Sequence, residues 1–173
     1  MMAISPYNSN QTVCFTGHRP ERLPQDAGEL AQLRDRLTEE IETAIARGRT
    51  DFISGAMSGF DTLAAEQVLQ LKKKYPHIQC IIVAPFSLHY FPRKNWTAEW
   101  EARLRAVLKQ ADIKISLSEH AYRGVYFARD RTIVDMAAEV IAYYGGGPGG
   151  TQYTIAYARS QHKPVINIWK EHN

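Results

Sequence analysis

A doubly wound α/β sandwich on a mainly parallel sheet is the fold class this sequence predicts. Two observations carry that reading. Across the 173 residues, six short apolar runs alternate with five segments of helical apolar spacing, and glycine-rich turns follow three of the runs. Parallel strands require such crossovers, whereas antiparallel hairpins would not need the helices. The length suffices to bury one sheet between two helical layers, so one domain over residues 1–173 is expected, with 1–11 as a flexible tail.

The elements follow in order. Residues 12–16 form a β-rich run closed by Gly17, and the polar segment to Gly28, with Pro20 and Pro24, reads as a long loop. From 29 to 47, Leu30, Leu33, Leu37, Ile41, Ala44 and Ile45 recur at helical spacing, with Gly48 placed to end the helix. Residues 51–54 are a second strand, and Phe60, Leu63, Ala64, Val68 and Leu71 the inner stripe of a second helix stopped by Tyr75 and Pro76. Residues 78–84 are almost uninterruptedly apolar, the pattern of a strand covered on both faces. A loop at 86–95 leads to a third helix at 96–109, a strand at 113–117, a fourth helix at 125–137 and a strand at 139–144. The turn at 145–150, a fifth helix to residue 160 and a strand at 165–169 complete a Rossmann-like three-layer sandwich.

Composition narrows the function classes. The sequence is 45% hydrophobic and 23% charged, with no apolar run near the roughly 20 residues a membrane helix needs. The first eleven residues lack the basic and apolar regions of a secretion signal, so a cytoplasmic protein with no membrane partner is expected. Cys14 and Cys80 each sit inside an apolar run, which suits buried thiols rather than a disulfide or a metal site. The net charge of +3 is mild, and its densest run, Lys72-Lys73-Lys74, falls at a helix end where the dipole favours cations. Nucleic acid is accordingly disfavoured as a partner.

In a parallel sheet all strands point their carboxyl ends at one edge, where ligands bind near helix N-termini. Three unusual loops share that edge: Thr16-Gly17-His18-Arg19-Pro20, Ser54-Gly55-Ala56-Met57-Ser58-Gly59-Phe60-Asp61, and the glycine-rich turn ending in Gly149-Gly150-Thr151. Glycines let backbone amides converge on an anion. None of the three loops has the lysine-containing phosphate loop or the dinucleotide glycine spacing, which disfavours a P-loop NTPase and a standard NAD dehydrogenase. Gly17, Gly55, Gly59, Gly149, Gly150 and Thr151 are the candidate phosphate cradle, with Arg19 a two-pronged anion contact and Ser58 a further ligand-binding candidate. His18 either touches ligand or bonds backbone, and Arg129 is the arginine of the fourth helix that turns to the crevice. Asp61 is placed to read ribose hydroxyls, or to form a capping box with Ser58; Thr151 serves a phosphate or caps the fifth helix. Asp61 and Glu66 are the candidate catalytic acids, Glu66 also reading as a solvated helix residue. Trp96, Trp100, Tyr122, Tyr126 and Phe127 are candidates to stack a base or to fill the core.

These motifs, together with the Ile141-Ala142-Tyr143-Tyr144 strand before the last glycines, resemble the YpsA/YoqJ-like branch of the SLOG superfamily, over about residues 11–169. That superfamily also holds the LOG-type phosphoribohydrolases and the DprA DNA-processing proteins. The resemblance implies a Rossmann-like fold and a nucleotide-type ligand, of the ADP-ribose or NAD kind, in a sensing or signalling role. It leaves two alternatives: an N-glycosidic nucleotide hydrolase of the LOG type, and a DprA-like single-stranded DNA module. LOG enzymes carry acidic residues just after the glycine–threonine pair, where this chain has Gln152, Tyr153 and Thr154, which counts against the hydrolase. Asp130 stands where the branch more usually has asparagine, and no role is carried over for it. No cofactor beyond such a ligand is implied, and a homo-oligomer is compatible with the sequence.

Overall fold

The structure, a computed structural model, describes residues 8–91 and 95–171. Its elements are β1 (Thr12–Gly17), α1 (Ala27–Ala46), β2 (Asp51–Ser54), α2 (Phe60–Lys72), β3 (Gln79–Ala84), α3 (Ala98–Gln110), β4 (Ile113–Ser116), α4 (Val125–Met136), β5 (Glu139–Tyr143), α5 (Gly150–Ser160) and β6 (Val165–Asn167). They form one six-stranded sheet of order β4-β3-β2-β1-β5-β6, every pairing parallel. The chain steps outward from β1 to β4, then returns to lay β5 on the other side of β1. Strand order therefore reverses between β1 and β5, the position at which such sheets open a crevice.

Side-chain alternation along the strands builds two cores. Val13, Phe15, Phe52, Ile82, Ile141 and Tyr143 face the layer of α1, α2 and α3, where Leu33, Leu37, Leu63, Val68, Leu104 and Val107 meet them. Cys14, Ile53, Ile81, Val83, Val140 and Ala142 face the other way, against Ile133 and Val134 of α4 and Ile155 and Ala158 of α5. Both faces of β3 are thus covered, which explains its unbroken apolar run. Cys14 and Cys80 are free and buried, and burial pushes the Cys80 thiol up to about 12. Neither is a reactive thiolate at neutral pH.

Helix starts depart from the sequence reading where a cap intervenes. α1 begins at Ala27, ahead of the expected residue 29, because the Asp26 side chain accepts the Glu29 N–H at 3.0 Å. α3 begins at Ala98 behind Thr97, whose hydroxyl accepts the Trp100 N–H at 3.3 Å. The expected long loop to Gly28 contains a 3-10 turn at Pro20–Arg22. β6 stops at Asn167, whose side-chain oxygen accepts the N–H groups of Tyr144 and Trp169, both at 3.1 Å. Of the segment expected as a tail, residues 1–7 lie outside the described residues, while Ser9–Gln11 form a 3-10 turn. Residues 92–94 of the 86–95 loop also lie outside them.

At the opposite end of the sheet from the crevice, the buried Glu139 carboxylate accepts from Arg47 at 2.7 and 2.9 Å and from Arg49 at 3.2 Å. This pins the end of α1 to the start of β5. Lys72 pairs with Asp112, and Lys74 with Glu42 at 3.2 Å, so these two of the three clustered lysines are engaged within the fold. Among the described residues no helix is long and apolar enough to cross a membrane.

Candidate functional site

A cavity of about 380 Å³ opens where β1 and β5 end, at the reversal of strand order. Thr16 to Arg19 and Glu21 to Arg22 form one wall, Tyr144 and Gly147 to Gln152 another, Met57 and Asp61 a third, and Tyr126, Phe127, Arg129 and Asp130 of α4 close it. Of the expected site residues, Gly17, His18, Arg19, Asp61, Arg129, Gly149, Gly150 and Thr151 border this one space.

Gly55 and Gly59, expected in the phosphate cradle, and Ser58, expected to touch ligand, do not border it, which corrects their placement. Gly59 has φ +91°, and a Cβ there would lie 2.5 Å from the His18 carbonyl oxygen. Its bareness lets α2 dock against the β1 loop, where the Phe60 N–H donates to that same oxygen at 3.0 Å. A Cβ on Gly55 would lie 2.9 Å from both the Arg129 guanidinium and the Asp61 carboxylate. Gly55 therefore makes room for two charged groups. Nor does Ser58 form a capping box with Asp61: the N-cap of α2 is Gly59, without a side-chain cap bond. Asp61 instead accepts the Met57 N–H at 3.3 Å, and the turn is closed by Ser54 donating to the Asp61 carbonyl at 2.8 Å and Thr62 to the Met57 carbonyl at 2.7 Å.

Arg129 is only 3% exposed. Its Nε donates to Asp130 at 2.8 Å and its Nη1 to the Gly55 carbonyl, so the cation is fixed from two sides. Burial pushes the Asp61 carboxyl up to about 6, with the Arg129 charge opposing and the Asp130 charge adding. A carboxylate held in this way sits poised to accept hydrogen bonds or to take a proton near neutral pH. His18 takes the backbone option: its Nε2 accepts the Gly145 N–H at 2.8 Å, and burial, aided by the Arg22 charge, holds it down at about 4. It is a neutral acceptor that ties the β5 exit to the β1 loop at the border of the cavity.

Arg19 is exposed and forms no ion pair among the described residues, leaving its guanidinium available at the rim. On the facing wall, the first amide of α5 to bond within the helix is that of Tyr153, to the Gly149 carbonyl at 3.1 Å. The amides of Gly150, Thr151 and Gln152 precede it at a helix N-terminus, where they favour an anion. The N-cap is Gly149 with no side-chain cap bond, so the Thr151 hydroxyl does not cap the helix. Tyr144 holds the preceding loop by donating its hydroxyl to the Gly147 carbonyl at 2.6 Å.

Glu66 is not brought to the cavity, which corrects its candidacy as a catalytic acid. It accepts from Arg103 at 2.5 and 3.2 Å where α2 meets α3, and Arg103 in turn lies 4.0 Å from the Trp100 ring centroid. Trp96 packs on Phe91, and Tyr122 lies outside the cavity; only Tyr126 and Phe127 of the aromatic candidates border it. Sequence reasoning missed Arg22, Met57, Asp130, Tyr144 and Gln152. Arg22 donates to the Gly146 carbonyl at 2.5 Å, and the Pro20-Glu21-Arg22 start of a short helix was the signal that it turns back to the site.

Fold and site together define a Rossmann-like domain with a cavity at its switch point. The YpsA family model, that of the YspA SLOG family, matches residues 13–168, and the chain belongs to this family. The uncharacterized SPbeta prophage-derived protein YoqJ of Bacillus subtilis is 29% identical over 83% of this chain and 89% of its own. The UPF0398 protein BBR47_29830 of Brevibacillus brevis is 34% identical over 71% of this chain, and UPF0398 protein YpsA of Bacillus subtilis 26% identical over 66%. The chain spans 60% and 63% of those two relatives' lengths. Among solved structures, DNA processing protein A from Helicobacter pylori, described for its single-stranded DNA binding mode, superposes with a TM-score of 0.63 at 16% identity. It matches over 93% of this chain and 67% of its own, and likeness at that identity shows the fold.

Proposed function

We propose that this chain binds a nucleotide-type ligand, of the ADP-ribose or NAD class, in the cavity between β1 and β5, and that it acts as a sensor of that ligand. The observation that carries the reading is the pairing of opposite chemistries across one cavity. Free amides of the α5 N-terminus and the unpaired Arg19 suit a phosphate, while the buried Asp61 carboxylate suits ribose hydroxyls. A cavity of about 380 Å³ falls in the range of small-molecule sites and holds one mononucleotide unit, the rest of a dinucleotide extending through the mouth.

N-glycosidic hydrolysis is the second reading, and one observation favours it: Asp61, near 6, is a carboxyl suited to proton transfer. Binding without turnover is supported by the engagement of the other acids, Asp130 with Arg129 and Glu66 with Arg103. A single-stranded DNA role, as in the Helicobacter pylori neighbour, would call for a cationic groove. The cavity walls instead balance Arg19, Arg22 and Arg129 against Glu21, Asp61 and Asp130.

Calorimetric titration with AMP, ADP, ADP-ribose and NAD, with each ligand recovered for mass spectrometry, tests the proposal. Saturable binding, weakened at least tenfold by Arg19→Ala and with the ligand recovered intact, is the expected result. Recovery of a cleaved base, abolished by Asp61→Asn, would replace the sensor with the hydrolase. No binding across the panel would overturn both.

A further inference from the structure

Phe127 sits in the first turn of α4 and is 44% exposed, yet it borders the cavity. An exposed ring is usually loose, and this one is braced. Tyr153 of α5 packs against it with ring centroids 4.5 Å apart at 59°, and Arg131, one turn further along α4, donates to the Tyr153 hydroxyl at 2.7 Å. A second tie, the Tyr157 hydroxyl donating to Asp135 at 2.8 Å, fixes the same two helices one turn below. Much of the remaining lining is polar or backbone, with Asp61, Asp130, Arg129, Arg19 and Arg22 beside the glycines and amides that open α5. Met57, Tyr144 and Pro148 also border the space, Met57 almost fully buried and Tyr144 half-buried with its hydroxyl tied to Gly147. Tyr126 also borders the space, but its ring packs edge-on against Phe86, 6.2 Å away, and belongs to the core beneath.

A braced apolar ring left exposed beside charged side chains and bare backbone has a cost: its exposed area gains nothing from water. It is repaid when a flat apolar partner covers it. Resting on the nucleotide-binding reading above, we infer that Phe127 is the base platform of the site, stacking the nucleobase of the ligand while phosphate lies at the α5 N-terminus and ribose over Asp61. The arrangement orders a nucleotide along the cavity. Its charged end goes to the amides and Arg19, its hydroxyls to the carboxylate, and its aromatic end to the exposed Phe127 ring. Phe127 is then the residue that distinguishes a nucleotide from a bare sugar phosphate.

The test compares AMP with ribose 5-phosphate by calorimetry, using the full chain and Phe127→Ala and Phe127→Trp variants. Because the ring is 44% exposed and belongs to neither buried core, both variants are expected to keep the wild-type thermal midpoint within a few degrees. Wild type binds AMP at least tenfold more tightly than ribose 5-phosphate; Phe127→Ala lowers AMP affinity about tenfold or more, leaves ribose 5-phosphate within twofold, and Phe127→Trp restores AMP. If both ligands bind wild type and Phe127→Ala weakens them equally, or neither, the platform is wrong while the nucleotide site stands. If neither ligand binds wild type, the nucleotide reading itself falls and the platform with it.

Discussion

Asp61 and His18 border the same cavity and respond to acid in opposite directions. Asp61, raised from an ordinary 3.8 to about 6, holds its proton more tightly folded than unfolded, so it adds stability as pH falls from 6 towards 4. His18, lowered from 6.5 to about 4, resists protonation when folded, so its contribution is complete above 6.5 and is lost as pH falls through the same window. In the wild-type chain the two slopes offset each other. Asp61→Asn is expected to raise the unfolding free energy from urea titration at pH 7, by on the order of 1–2 kcal/mol, and to make the urea midpoint fall more steeply between pH 7 and 5. His18→Gln is expected to give a midpoint that holds or rises over that interval; slopes parallel to wild type in both variants would contradict the assignment. Part of the cavity lining was legible residue by residue: Arg19, Asp61 and Arg129 border the crevice to which their motifs point. The state of His18 was not, because its partner Gly145 is 127 residues away and only the fold brings them together. Asp130 was visible beside Arg129, but nothing in its spacing shows that it holds that guanidinium.

At the scale of elements, glycines in strand-to-helix turns have two uses that a sequence writes identically. Gly149 and Gly150 open α5 towards the cavity, whereas Gly59 lets α2 pack against backbone. Gly59 and Gly48 share a φ of +91°, but a Cβ on Gly48 meets nothing within 4 Å. Gly48→Ala is therefore expected to cost only conformational strain, about 1 kcal/mol, while Gly59→Ala adds a collision with the His18 and Arg19 backbone and is expected to cost more than about 2 kcal/mol. Chemical denaturation of the two variants checks this, and equal losses would show that α2 does not need the close approach. The twelve-residue-scale pattern of strands and helices was readable because periodicity of 2 and 3.6 survives in any one sequence. Boundaries were less so, since Asp26 and Thr97 start α1 and α3 by side-chain bonds that outweigh the apolar stripe.

Across the whole molecule, alternation predicted a parallel sheet but not its order, and the order places the site. Only the return of the chain from β4 to β5, beside β1, brings the first and last glycine loops to one crevice. Charge is likewise a property of the assembled surface: a net +3 scattered over the chain leaves the cavity walls with equal numbers of cations and carboxylates. Nucleotide affinity is accordingly expected to fall by less than about tenfold between 50 and 200 mM salt, against the roughly thousandfold or greater loss typical of proteins that grip many phosphates. A steep slope would favour the strand-binding reading. The most direct test of the account is amide chemical-shift mapping of the labelled chain titrated with AMP. The account predicts that Gly149, Gly150, Thr151, Gln152 and Arg19 shift together to saturation; saturable binding that leaves those amides still and moves a different face of the sheet would contradict it.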